Sequence, residues 1–271
     1  MGKLNRKKRR RRQRIKKIAG LSLFLFMILM VTFTAKSVLG AFLSSDELGM
    51  EMDSENEASF LKTEEENGGV SEHMISVEGL SQSGIPTGCE AVTAVAALRY
   101  RGVAVTPEEF IDVFLPKENF YIKNGVTYGA NPHEAFPGNP FESGLGCFSE
   151  VIVAALNAMK ECGYGGMENL AVENVSGVSL NELEKYVAKD IPVICWVTIG
   201  MQESVSGMEY YFEDGTFYRW RAKEHCMLLM GFDENCYYFC DPLSGGNVVS
   251  YEKDLVKQRY EEMGKQAVVV Y

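Results

Sequence analysis

The sequence predicts an α+β domain of about 195 residues, running from Met74 to Tyr271, with helices first and an antiparallel sheet after them. Three observations predict it. Between residues 90 and 190 the apolar residues recur at helical spacing, with capping residues at the helix starts. From residue 192 the period shortens to that of strands. Turn dipeptides then separate the strands closely enough for hairpins.

The helices come in order. "EAVTAVAALRYR", Glu90 to Arg101, places Ala91, Val92, Val95 and Leu98 on one side and meets Gly102 as its stop. "TPEEFIDVFL" opens a second helix, with Thr106 as cap, Pro107 in the first turn and Glu109 completing a capping box. Residues 116–146 are rich in Gly, Pro and Asn and read as a long ordered loop. "SEVIVAALNAMKECG" is the third helix, from about Ser149 to Gly163. "SLNELEKYVAKD" is the fourth, with Ser179 and Glu182 as its capping box.

The strands follow. "PVICWVTIG" (192–200) is apolar throughout, as a strand buried on both faces requires. "EYYFEDGTFYRW" (209–220) is a hairpin around Asp214-Gly215. "HCMLLMGFD" and "CYYFCDP" form a second hairpin around Glu234-Asn235, and "QAVVVY" closes the chain.

Ahead of this domain the texture differs. Residues 1–17 hold eleven of the 27 Lys and Arg and no acid. Lys36 is the twelfth base, so residues 41–271 keep 15 bases against all 37 acids, a net charge of −22. A body this acidic repels phosphate backbones, which excludes nucleic-acid binding by it. Ile18 to Ala35 is uncharged and about long enough to span a bilayer as a helix. Bases crowd its N-terminal side only, so the head (1–17) is expected in the cytoplasm and the body outside. Residues 18–40 are read as an uncleaved signal anchor, which makes this a single-pass protein of the cell membrane. The other reading is a signal peptide cut before Ala41, which makes it a secreted one. Residues 41–73, rich in acids, Ser and Gly, read as a disordered stalk.

Seven cysteines are present: Cys89, Cys147, Cys162, Cys195, Cys226, Cys236 and Cys240. No C-x-x-C pair occurs, so a zinc ribbon is not expected. Cys195 lies in an apolar strand, as a core residue does. Cys236 and Cys240, near the second hairpin's tip, are candidates for a disulfide or a metal. Cys89 is different. It stands where the loop "SQSGIPTG" gives way to a helix, where free N–H groups and the macrodipole favour a thiolate. Gln82 in that loop carries an amide donor for an oxyanion near the sulfur. Glu90, in the first turn, is explained by the helix dipole.

A nucleophilic thiol also needs a base, and the chain has three histidines. His73 falls at the end of the stalk and His133 in the "NPHEAFPGNP" loop, where a surface role is expected of each. His225 opens a strand and Asp241 ends the next one. With the hairpin centred near Asp233, His225 and Asp241 are expected to face each other across the two strands. A bond between them fixes the imidazole tautomer. Taken singly, His225 reads as a strand-end residue and Asp241 as a turn residue before Pro242. Taken together with Gln82 and Cys89, they fit one thiol mechanism.

Four stretches, "SQSGIPTGCEAVTAVAALRYRG", "NPHEAFPGNPFESGLGCF", "EHCMLLMGFD" and "YYFCDPLSGG", resemble the successive motifs of papain-like cysteine peptidases of the bacteriocin-processing, double-glycine type, in their stand-alone exported branch. The resemblance covers residues 74–271. It implies a papain-like fold, with Cys89 as nucleophile, His225 as general base and acid, Asp241 as the orienting residue and Gln82 as oxyanion donor. It implies no metal or cofactor, a peptide or protein substrate, and a monomer. The chain has no transporter or ATP-binding domain, so cleavage coupled to export is not implied. Two other functions fit the same residues: a thiol amidase or transpeptidase acting on cell-wall peptide, and a catalytically silent binding module on a stalk.

Overall fold

The computed structural model describes residues 71–142 and 144–271. The basic head, the apolar run Ile18–Ala35 and nearly all of the acidic stalk lie outside them. Among the described residues no helix is long and apolar enough to cross a membrane.

Two runs of the sequence are apolar at almost every position, and they become the centre of the fold. Val193–Thr198 (β7) and Glu224–Phe232 (β10) are buried at every residue and pair antiparallel, with His225 opposite Val197 and Leu228 opposite Ile194. Strands covered on both faces have no need of polar alternation. Outward from β10 lie Cys236–Asp241 (β11) and Asn247–Glu252 (β12). Outward from β7 lie Ala267–Val270 (β13) and Val172–Asn174 (β6). His73–Met74 (β1) pairs with the far end of β10, so the ordered domain reaches back into what the sequence presents as the stalk's end.

Four helices pack on this sheet. Cys89–Tyr100 (α1) packs against β10 and β7, and Ser149–Glu161 (α3) against β6, β13 and α1. Leu180–Val187 (α4) contacts β10 and β7. Lys253–Glu262 (α5), which the sequence reading passes over, contacts β7, β11 and β12. α5 is polar and buries Val256, Arg259 and Tyr260, too few for a visible apolar stripe. The predicted second helix is one turn only, Pro107–Glu109 (α2), capped by Thr106 Oγ1 as expected and continued as a π-turn over Phe110–Phe114.

The expected loop over 116–146 carries short strands: Lys117–Glu118 (β2), Tyr121–Lys123 (β3), Val126–Tyr128 (β4) and Phe136–Pro137 (β5). β3 and β4 join the hairpin Val205–Tyr211 (β8) and Phe217–Ala222 (β9) in a separate four-stranded sheet, in which β4 and β8 run parallel. At Lys223 the chain turns out of this sheet and into β10 with φ 68°, a left-handed conformation that costs a non-glycine residue about 1 kcal/mol or more. That corner delivers Glu224 and His225.

All seven cysteines are free thiols. Cys236 and Cys240 lie on one strand, not on two facing ones. Four residues of strand separate them by roughly 13 Å, beyond the reach of a disulfide.

Two loops meet beside the start of α1. Gln82 N–H donates to the Pro242 carbonyl at 3.0 Å, and Gly79 lies against the Gly245–Gly246 turn. A Cβ on Gly79 would sit 1.8 Å from the Gly246 carbonyl oxygen, so only glycine allows this approach. Gly79→Ala is therefore expected to destabilise the domain by about 1–3 kcal/mol, the usual effect of overpacking, read as a lower midpoint in chemical denaturation. An unchanged midpoint would mean that the two loops are not held together.

Candidate active site

Three elements converge on one cleft of about 290 Å³, which Gln82, Cys89 and His225 all line. Gln82 comes from the loop before α1, Cys89 is the first residue of α1, and His225 is the second residue of β10. Leu145, Met208, Trp220 and Leu243 add apolar walls. Asp241 closes the set from behind the imidazole. One bond ties helix to strand: the Thr93 hydroxyl, one turn along α1 from Cys89, donates to the Cys226 carbonyl at 3.0 Å, next to His225.

His225 Nε2 and Asp241 Oδ1 are 2.7 Å apart and both residues are buried. They do not face each other directly. Leu228 pairs with Cys240 and Leu229 with Phe239, so the register continues to Asp241 opposite Met227, two residues from His225. The cause is the turn: Phe232 pairs with Tyr237, so the hairpin is centred between Glu234 and Asn235 and not near Asp233, and the bulge at Met230, which has no partner on β11, takes back part of that offset and returns Asp241 to the face of His225. The contact is the diagonal one, on the same face and within reach of a long side chain.

Asp241 is well supplied with donors. Its Oδ1 also accepts from Leu243 N–H at 2.9 Å, and its Oδ2 accepts from the Ser244 hydroxyl at 2.7 Å. Burial pushes its pKa up, but hydrogen bonds from His225, Ser244 and Leu243 outweigh it and hold the carboxyl below its ordinary value. An ionised carboxylate only accepts, so Nε2 of His225 carries the proton and Nδ1 keeps its lone pair.

Cys89 departs from the expectation of a ready thiolate. Its N-cap, Gly88, offers no side-chain cap, so the first-turn N–H groups of α1 remain for the macrodipole to act through. Burial nevertheless dominates. It pushes the thiol pKa well above its ordinary value, and Glu90, Glu224 and Cys226 push the same way against one backbone hydrogen bond from Cys226. The thiol is neutral and donates to Glu90 Oε2 at 3.3 Å.

Glu90 is the residue that sequence reasoning most undervalued. It is 1% exposed, and its Oε1 accepts from Cys147 N–H at 2.5 Å. Burial raises its pKa to about 7 against three opposing hydrogen bonds. Glu224, 7% exposed, is also raised, by burial and by Glu90. Sγ of Cys89 and carboxylate oxygens of Glu90 and Glu224 lie within 4.8 Å of one another. A signal was present: Glu90 follows Cys89, and Glu224 precedes His225.

Gln82 is buried. Its Nε2 donates one N–H to the Pro86 carbonyl at 3.3 Å, which leaves the second for another acceptor. His133 and His73 are elsewhere. His133 pairs with Glu150 at 3.0 Å and stacks on Phe148, and His73 pairs with Asp190 at 2.8 Å.

The carboxyls give opposite pH effects on stability. Asp241 has a depressed pKa, so its contribution is present above its unfolded value of about 3.9 and is lost as pH falls through the folded value. Glu90 has a raised pKa, so it costs stability progressively as pH rises from about 4.3 to about 7. Asp241→Asn is expected to cost about 1.5–3 kcal/mol at neutral pH, the range for a bond to a charged group, and to flatten the acid limb of a denaturation series. Glu90→Gln is expected to flatten the limb between about 4.3 and about 7. Parallel pH profiles for wild type and both variants would contradict these assignments.

Residues 74–268 match the model of the Peptidase C39-like family. Among solved structures, a Bacillus anthracis chain described as a C39-like peptidase superposes with a TM-score of 0.61 at 24% identity, over 74% of this chain and 98% of that one. At that identity the likeness concerns the fold, a mixed helix-and-sheet domain of the same kind. No curated protein matches. The family match spans well over half of the sequence: the chain belongs to the Peptidase C39-like family and is a cysteine peptidase, a hydrolase.

Proposed function

We propose that Cys89 is the nucleophile, His225 its base and acid, Asp241 the residue that orients His225, and Gln82 the oxyanion donor, in hydrolysis of peptide bonds outside the cell. One observation carries this reading: Gln82, Cys89 and His225 line a single cleft while Asp241 occupies the far nitrogen of the imidazole. What supports the export is the basic head followed by the uncharged run Ile18–Ala35, within the segment 18–40 read as a single-pass anchor.

The steps balance as follows. The thiol turns from Glu90 to His225 and gives its proton to Nδ1. The thiolate attacks the scissile carbonyl carbon, and the oxyanion takes hydrogen bonds from Gln82 Nε2 and the Cys89 backbone N–H. Imidazolium protonates the leaving amine as the C–N bond breaks, leaving a thioester. His225 then takes a proton from water, the hydroxide releases the acyl group as a carboxylic acid, and the thiol is restored. The cleft's apolar walls, Leu145, Met208 and Trp220, suit peptide side chains rather than a charged ligand.

The test is hydrolysis of a fluorogenic peptide library by the full-length chain. Cys89→Ala is expected to abolish turnover. Gln82→Ala is expected to lower kcat by about 10²–10³, the cost of one oxyanion donor. Full activity in Cys89→Ala would end the reading. Turnover of wall-peptide fragments but not of linear peptides would move it to a wall amidase.

A further inference from the structure

The neighbours of the two proposed catalytic residues form a buried pair. Glu90 follows Cys89 at the head of α1, and Glu224 precedes His225 at the head of β10. Two carboxyls within 4.8 Å of each other in a buried site do not both ionise. The hydrogen bonds say which one carries the charge. Glu90 has two donors aimed at it, Cys147 N–H on Oε1 and the Cys89 thiol on Oε2. Glu224 has an Oε1 that is buried and without a partner. A carboxylate belongs where donors converge, and a neutral acid is the form that tolerates the bare oxygen.

We propose that Glu90 is a positioning residue that holds Cys89 in reserve: its carboxylate accepts the S–H, keeps the sulfur turned from His225, and opposes the thiolate by its charge, while Glu224 stands beside it as the protonated partner. The inference rests on Cys89 being the nucleophile. It accounts for a thiol that is neutral at rest in a cysteine peptidase. The groups facing the pair are Cys89 from α1, Cys147 from the segment before α3, and Cys226 from β10. Gly146 leaves the space above it: a Cβ there would lie 2.5 Å from Glu224 Oε2 and 2.7 Å from Glu90 Oε1. Burial places the titration of Glu90 at about 7, so the hold is charged above that pH and neutral below it.

The experiment is iodoacetamide labelling of the full-length chain across pH, with labelling at Cys89 read by peptide mass spectrometry. Glu90→Gln keeps the shape and the bond to Cys147 N–H but removes the charge. It is expected to speed Cys89 labelling above pH 7 by about tenfold or more, equivalent to one unit in the thiol pKa, with the gain shrinking below that pH. Glu224→Gln replaces a group already neutral and is expected to leave the Cys89 profile near that of the wild type. A Glu90→Gln profile that coincides with the wild type overturns the proposal, because a merely structural role leaves the midpoint unmoved. A Glu224→Gln profile shifted as far as that of Glu90→Gln overturns the placement of the proton. Should either variant fail to fold, infrared spectroscopy of the wild type at a pH well above the titration of Glu90 decides: one protonated carboxyl band, from Glu224, is expected to persist there, and carboxylate bands alone refute it. The labelling does not depend on turnover. Shifted profiles in a chain that hydrolyses nothing would sink the proposed function and leave this inference standing.

Discussion

The hydrogen bond from the Thr93 hydroxyl to the Cys226 carbonyl is the contact on which the candidate site depends. Thr93 lies four residues after Cys89 on the same face of α1, and Cys226 is the residue after His225. One bond of 3.0 Å thus sets a helix in register with a strand, and with them a thiol in register with an imidazole. Everything around it is arranged to keep that register. β10 is held on one side by β7 and on the other by β11, and its burial at every residue leaves it no freedom to slide.

Low dielectric then decides what each titratable group becomes. Asp241 is buried but stays ionised, because three donors converge on it. Cys89, at a helix start that favours a thiolate by its dipole, stays protonated, because burial and two neighbouring carboxyls outweigh the dipole. The same interior fixes the tautomer of His225 through Asp241 and makes a weak acid of Glu90 by denying it water. Hydrogen bonds reach both carboxyls; Glu90, at 1% exposure against 6% for Asp241, is the more deeply buried, and there burial wins.

Much of this was legible in the residues. α1, α3 and α4 follow from apolar spacing and caps, and β7 and β10 from unbroken apolar runs. The pairing of the helix-start cysteine with a histidine and an aspartate on successive strands follows from counting along one hairpin. That count missed by two residues because it set the centre near Asp233, whereas Phe232 pairs with Tyr237, and nothing in "HCMLLMGFD" marks the bulge at Met230 that brings Asp241 back to the face of His225. α5 escaped because its buried face is three residues of a polar segment. Glu90 and Glu224 escaped for a different reason. Charge in sequence reads as exposure, and only tertiary packing reveals a carboxyl that accepts a thiol and a backbone N–H in the dark of the core.

The central claim is that Cys89 carries the acyl group. The most direct measurement is rapid acid quench of the full-length chain during turnover of a cleaved peptide, followed by intact-mass and peptide mapping. The account predicts a thioester adduct of the N-terminal product on Cys89 that accumulates before steady state and decays with water. An adduct on another side chain, or turnover with no adduct and undiminished rate in Cys89→Ser, would contradict it.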